Sequence, residues 1–121
     1  MTEERIRRRL VAILAGDVVD YSRLMHADEV ATLAALKSRR KGILEPLIAQ
    51  HGGRLFKLVG DGAMVEFGSA VSAVQCAVAL QEAMSLANTG SPHDRHIVLR
   101  IGLHLGDVMV EGPIFMATAS T

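Results

Sequence analysis

Residues 10–19 form a nearly unbroken apolar run rich in Val, Ile and Leu. Such a run reads as a strand covered on both faces, because no solvent face is left for polar residues to occupy. A strand of that kind needs helices and further strands around it, and the rest of the chain supplies the signals for them. Asp28 is a candidate N-cap for a helix whose Val30, Leu33, Leu36, Leu44, Leu47 and Ile48 form an apolar stripe. Gly42 and Pro46 should bend or divide that helix, and Gly52-Gly53 should end it. Arg54–Val59 and residues 63–67 are strand-like and flank the short loop Gly60-Asp61-Gly62, as in a hairpin. Ser69 caps a second helix, with Ala70, Val74, Ala77, Leu80 and Met84 expected on one face. Residues 88–94 read as a polar loop. A last alternating strand through Ile97, Leu99, Ile101 and Leu103 is expected to turn at Gly106-Asp107 into residues 108–111. Strand, helix, hairpin, helix, hairpin is an α+β order, with helices on one face of a mainly antiparallel sheet.

Length and composition limit the function classes. At 121 residues the chain makes one domain with a real core. Hydrophobic residues make up 50%, which excludes a disordered chain. Thirteen Lys and Arg balance 13 Asp and Glu, so no whole-protein field favours nucleic acid. The cluster Arg5, Arg7, Arg8 and Arg9 reads as local, with residues 1–8 a solvated basic extension. No apolar run reaches the roughly 18 residues that span a bilayer, and no signal-peptide pattern opens the chain. The single Cys76 fits a reducing compartment, which makes cytoplasm the expected location.

Asp17 and Asp61 each end a strongly apolar strand-like run. Magnesium takes hard oxygen ligands, usually one or two protein carboxylates with phosphates and water, and two aspartates from adjacent strands meet that demand. The backbone after Asp17, through Val18, Val19, Asp20, Tyr21 and Ser22, leads into a helix and can offer N–H groups to a phosphate. Asp20 can extend the metal site, although its charge repels a triphosphate unless a metal lies between. On spacing alone these residues stay open to a plainer reading. Asp between glycines is a favoured hairpin turn, and Gly106-Asp107 repeats it. Lys57 is a cation inside an apolar strand, placed either to read a base or to face solvent. The five histidines show no paired ligand spacing, and Cys76 and the methionines fit core filling.

Together these stretches resemble the class III adenylate/guanylate cyclase catalytic domain of bacterial type. The resemblance rests on Leu10-Val11-Ala12-Ile13-Leu14-Ala15-Gly16-Asp17-Val18-Val19-Asp20-Tyr21-Ser22-Arg23-Leu24-Met25, His51-Gly52-Gly53-Arg54, Lys57-Leu58-Val59-Gly60-Asp61-Gly62, Val65-Glu66-Phe67 and Arg100-Ile101-Gly102-Leu103-His104-Leu105-Gly106-Asp107-Val108. It runs in order over residues 9–112 and implies the palm-type, ferredoxin-like fold of that family. It further implies formation of cyclic AMP and pyrophosphate from ATP at a homodimer interface, with two Mg2+ or Mn2+ ions. Asp17 and Asp61 match the family's metal-binding aspartates, and the Val18 carbonyl an accessory ligand. Lys57 matches the lysine that contacts adenine, which favours ATP over GTP, and it would reach the site from the partner chain. The resemblance also implies a role in intracellular signalling.

Residues 113–121 depart from the pattern. The family continues with a segment like D-I-Y-G-D-G-V-N-x-A-A-R, which carries a second base-reading aspartate and the asparagine and arginine that stabilise the transition state. Here the chain reads Pro113-Ile114-Phe115-Met116-Ala117-Thr118-Ala119-Ser120-Thr121. Suitable codons for this tail are CCG ATA TTT ATG GCG ACG GCG TCA ACG, and from the third base of the Pro113 codon that string would read D-I-Y-G-D-G-V-N. A frameshift near Pro113 is therefore expected, with residues 113–121 an aberrant tail and the chain inactive alone. The alternative is a non-catalytic nucleotide-binding or dimerisation module. A diguanylate cyclase is disfavoured, since its G-G-D/E-E-F hairpin is absent.

Overall fold

The computed structural model describes residues 5–112, with side chains described over 9–107. The tail 113–121 and residues 1–4 of the expected extension lie outside the described residues. Strand β1 (Arg5–Val18) is followed by α1 (Tyr21–Ala27), α2 (Glu29–Arg39), a π-helical turn (Arg40–Leu44) and α3 (Glu45–Gln50). Then come β2 (Arg54–Val59), β3 (Gly62–Phe67), α4 (Ala70–Asn88), a 3-10 turn (His93–Arg95) and β4 (Leu99–Gly112). The four strands form one antiparallel sheet in the order β2-β3-β1-β4. The most apolar strand is therefore internal, with β3 on one side and β4 on the other.

The capping residues act as their chemistry predicts. The Asp28 carboxylate accepts from Ala31 N at 3.0 Å and starts α2. The Ser69 hydroxyl accepts from Ser72 N at 3.1 Å and starts α4. Each such cap satisfies an amide with no intrahelical partner, a contribution of about 1 kcal/mol. Gly42 lies in the π turn and Pro46 in the first turn of α3, where its missing N–H costs little. Gly52, at φ 72°, reverses the chain into β2.

Strand register decides which side chains meet the helices. Ala12 faces Phe67 and Leu105, and Leu14 faces Val65 and Leu103, so these share the helical side of the sheet. Ala12, Leu14, Val65 and Phe67 pack there against Ile48, Ala73 and Cys76. Val18 continues the layer with Leu24, Leu80, Met84 and Ile97. Full burial of a side chain such as Phe67 or Leu80 contributes about 1.5–3 kcal/mol. The opposite side carries Val11, Ile13, Ala15, Asp17, Glu66, Met64, Lys57 and Arg100, and among the described residues no helix packs on it.

Several expectations are corrected. Strand β1 starts at Arg5, so Arg5 to Arg8 of the expected extension lie in the ladder, because β4 is long enough to pair with them up to Gly112. Gly106-Asp107 does not turn; these residues pair with Val11 and Leu10 inside one continuous β4. On α4 the buried face is Ala73, Cys76, Leu80, Met84 and Asn88, while Ala70 and Val74 are exposed. That helix is apolar nearly all round, so its pattern carried little contrast between faces. It is also long and apolar enough to cross a membrane by length and composition, yet its buried face docks on the sheet as a core helix does. In α2, Val30 and Leu33 are exposed and Thr32 is buried, its hydroxyl donating to Leu24 O at 2.9 Å.

Candidate functional site

The end of β1 and the tip of the β2–β3 hairpin meet because β3 pairs with β1 up to Gly16 opposite Ala63. The approach is close. A Cβ at Gly62 would lie 3.2 Å from Val59 O and 3.4 Å from Gly16 O, so glycine lets the tip close on the strand end. Asp61 is thereby brought to β1, where its Oδ2 accepts from Val18 N at 2.8 Å. Asp17 precedes that amide on the uncovered side of the sheet. The structure thus brings Asp61 to the backbone beside Asp17, while the two carboxylates line different hollows, Asp17 on the uncovered side and Asp61 on the helical side.

Asp17 has a partner that the sequence analysis did not single out. Arg100 lies directly across the ladder, with its guanidinium 3.1 Å from Asp17 Oδ1 and 3.3 Å from Oδ2. Only the Oδ2 contact has hydrogen-bond geometry, which leaves Oδ1 shielded from solvent without a hydrogen-bond partner. The signal for Arg100 was present in its alternating strand, but only the register shows that it opposes Asp17. Lys57 is exposed on the same side, next to a break in the β2–β3 register. Asp17, Lys57, Met64 and Arg100 line one concavity of about 380 Å3, so Lys57 and Asp17 of a single chain share a hollow.

The segment after Asp17 is only partly available to a phosphate. The Val19 amide is committed to Val98 O at 2.8 Å. Asp20 adopts a left-handed conformation, φ 56° and ψ 36°, and makes no capping bond to α1. The first-turn amides of Tyr21 and Ser22 therefore lack an intrahelical partner. Asp20 lies 3.9 Å from the Arg23 side chain and is mostly exposed, turned to solvent rather than joined to Asp17. Asp107, read as a turn residue, sits in the β1–β4 ladder beyond the site.

The model of the adenylate and guanylate cyclase catalytic domain matches residues 4–114. The chain belongs to that family. Over 111 residues it is 61% identical to the "Putative adenylate cyclase 3" of Rhizobium meliloti (strain 1021), covering 92% of this chain and 19% of that protein. It is 32% identical over 120 residues to an adenylate cyclase of Streptomyces coelicolor, covering 98% of this chain and 29% of the relative. The crystal structure of an adenylate/guanylate cyclase/hydrolase from Silicibacter pomeroyi superposes with a TM-score of 0.79 at 40% identity, covering 88% of this chain and 62% of the other. This cyclase-family chain thus spans less than a third of the two curated relatives, and the fold expected from the resemblance is the fold present.

Proposed function

We propose that this cyclase-family chain holds the metal-binding and base-reading part of a site that converts ATP to cyclic AMP and pyrophosphate in intracellular signalling. The observation that carries the reading is the Asp61 carboxylate held on the amide that follows Asp17, with Asp17 Oδ1 shielded from solvent, without a hydrogen bond and 3.1 Å from the Arg100 guanidinium. A shielded carboxylate oxygen is costly without a cation beside it; Arg100 fills that place here, and a divalent ion bound to Asp17 would take it over. Two carboxylates with the Val18 carbonyl make the hard oxygen set that Mg2+ or Mn2+ takes. When bound, two such ions supply neutralisation of the triphosphate and a lowered pKa for the ribose 3′-hydroxyl. In the reaction the 3′-oxygen bonds the α-phosphorus, the bond to the bridging oxygen breaks, and pyrophosphate leaves.

This chain's own residues have distinct parts. Asp17 and Asp61 hold the ions, and the hydrogen bond from Val18 N keeps Asp61 oriented. Arg100 balances Asp17 and offers a planar cation to phosphate oxygens. The amides of Tyr21 and Ser22 at the start of α1 add donors for phosphate oxygens, and Asp20 and Val19 shape the turn that carries them. Lys57 contacts the adenine, favouring ATP over GTP. The uncovered sheet side suits a second copy, in which case Lys57 of each chain serves the site of the other. A chain with one buried thiol is consistent with the cytoplasm.

The 121-residue chain alone is expected to bind Mn-ATP without turning it over, since residues 113–121 carry no asparagine or arginine for the transition state. Calorimetry with Mn2+ and ATP, paired with an assay for cyclic AMP, tests both halves. Asp17→Asn and Asp61→Asn should each weaken Mn2+ binding tenfold or more. Turnover by the purified chain, or unchanged metal affinity in both variants, overturns the reading.

A further inference from the structure

A second hollow lies on the helical side of the sheet, away from Lys57 and Arg100. It is a cleft of about 270 Å3 between α2 with its π turn and the tip of the β2–β3 hairpin. Its interior is apolar, formed by Leu36, Leu44, Leu80, Met84 and Leu99. Leu33 and Leu58 line it from the two walls and are both about half exposed, at 47% and 50%. The α2 wall is cationic. Among the described residues Lys37 makes no hydrogen bond or ion pair. Arg40 Nε is shut off from solvent without a hydrogen-bond partner, and Glu45 Oε2, 3.8 Å away, is too far to serve. Arg39 is committed to Asn88 Oδ1 and Ala87 O. The one carboxylate lining the cleft, Asp61, has its Oδ2 turned onto the Val18 amide. Arg40 and Leu44 bound the π turn, a local rewinding often found where side chains are aimed at a ligand.

We propose that this cleft binds a small amphipathic anion, a medium-length apolar chain ending in a carboxylate. An apolar interior with a few convergent polar groups is the usual make-up of a small-molecule site. Lys37 and Arg40 provide the charge complement, and Arg40 Nε gains the acceptor it lacks. At about 270 Å3 the cleft suits a small ligand with a medium-length chain, for which octanoate is the probe. The proposal does not depend on the nucleotide reading, because none of the contacts invoked requires metal or ATP.

Octanoate, octanol and acetate titrated into the 15N-labelled chain test it. Octanoate should shift amides of α2, the π turn and residues 58–63 with saturation, whereas octanol and acetate bind at least tenfold more weakly. Lys37→Glu and Arg40→Gln should each weaken octanoate binding about tenfold, or about 1.4 kcal/mol, with the amide dispersion of the fold unchanged. Lys37 is exposed and unpaired, so its variant stays folded. Equal binding of octanol, shifts confined to the uncovered sheet side, or unchanged affinity in Lys37→Glu overturns the proposal.

Discussion

At the residue scale Asp61 combines an observed hydrogen bond to the backbone with the metal-binding role proposed above, and substitutions can divide the two. Its carboxylate accepts from Val18 N, a partly buried, charge-assisted bond. Asp61→Ala removes that acceptor and strands the amide, so urea unfolding should show a loss of about 1.5–3 kcal/mol. Asp61→Asn keeps an acceptor without charge and should lose clearly less stability, while losing metal binding to the same extent as Ala. Asn88 is a second residue whose importance only the structure reveals. The sequence placed it at the start of a polar loop; in the fold it is buried at the end of α4. Its Nδ2 donates to Ile97 O at 2.9 Å and its Oδ1 accepts from Ile97 N at 3.0 Å, imitating a strand pair. Asn88→Ala would leave both backbone groups buried and unpaired, at about 1–3 kcal/mol each. A fall of 2 kcal/mol or more in unfolding free energy is expected, and one near zero would contradict this account.

Among elements, α4 combines a clear boundary with an ambiguous face. Ser69 marked its start because a capping hydroxyl acts locally, over three residues. Its expected face was right at Leu80 and Met84 and wrong at Ala70 and Val74, since Val71, Val74 and Val78 are as apolar as the residues that dock. Cys76 shows the correct face: it is buried against the sheet, and burial pushes its thiol pKa up. A raised folded value stabilises the fold fully below the unfolded thiol value of about 8.5, and that contribution is lost as pH rises above it. Iodoacetamide should therefore label Cys76 only at the rate of unfolding, and denaturation midpoints should fall from about pH 8 to 10 more steeply than in Cys76→Ala. Fast labelling of the folded chain would refute this. For β4 the misreading came from Gly106-Asp107, a pair that makes turns when nothing opposes it. Across from Leu10 and Val11 the same residues extend a ladder instead. Local turn chemistry lost to pairing with a long partner strand.

At the scale of the whole molecule, one part of the helical side leaves apolar residues exposed among those described. Leu103 and Leu105 lie on the helical side of β4 yet are 46% and 54% exposed, and Leu10 on β1 is 61% exposed. Gln81 donates to Leu99 O at 3.0 Å, which fixes α4 alongside β4. Val78, Val74 and Val71 precede Gln81 at helical spacing on that side and are exposed as well. Contiguous apolar surface of this kind marks an interface or an aggregation liability. The isolated 121-residue chain should enhance the fluorescence of an apolar dye such as ANS and self-associate at micromolar concentration. Leu105→Lys should reduce both. A monomeric chain that leaves the dye dark would show that this face is covered.

The sequence by itself determined the family, the α+β order, the caps at Asp28 and Ser69, and the central placing of the 10–19 run. A cap acts within one turn, and the apolar run takes an internal strand, yet helices cover only its Ala12, Leu14 and Val18 face, while Leu10 and Ala15 are exposed against the expected cover on both faces. The stretches around Asp17, Lys57 and Asp61 were legible as a resemblance because they match the family pattern in order along the chain. Tertiary structure decided which of these side chains share a space. Register put Arg100 across from Asp17, the closeness of Gly62 to Gly16 brought Asp61 to Val18, and the packing of α4 chose Asn88 over Val74. Each is a contact between residues far apart in sequence, and no local preference encodes a distance across a sheet.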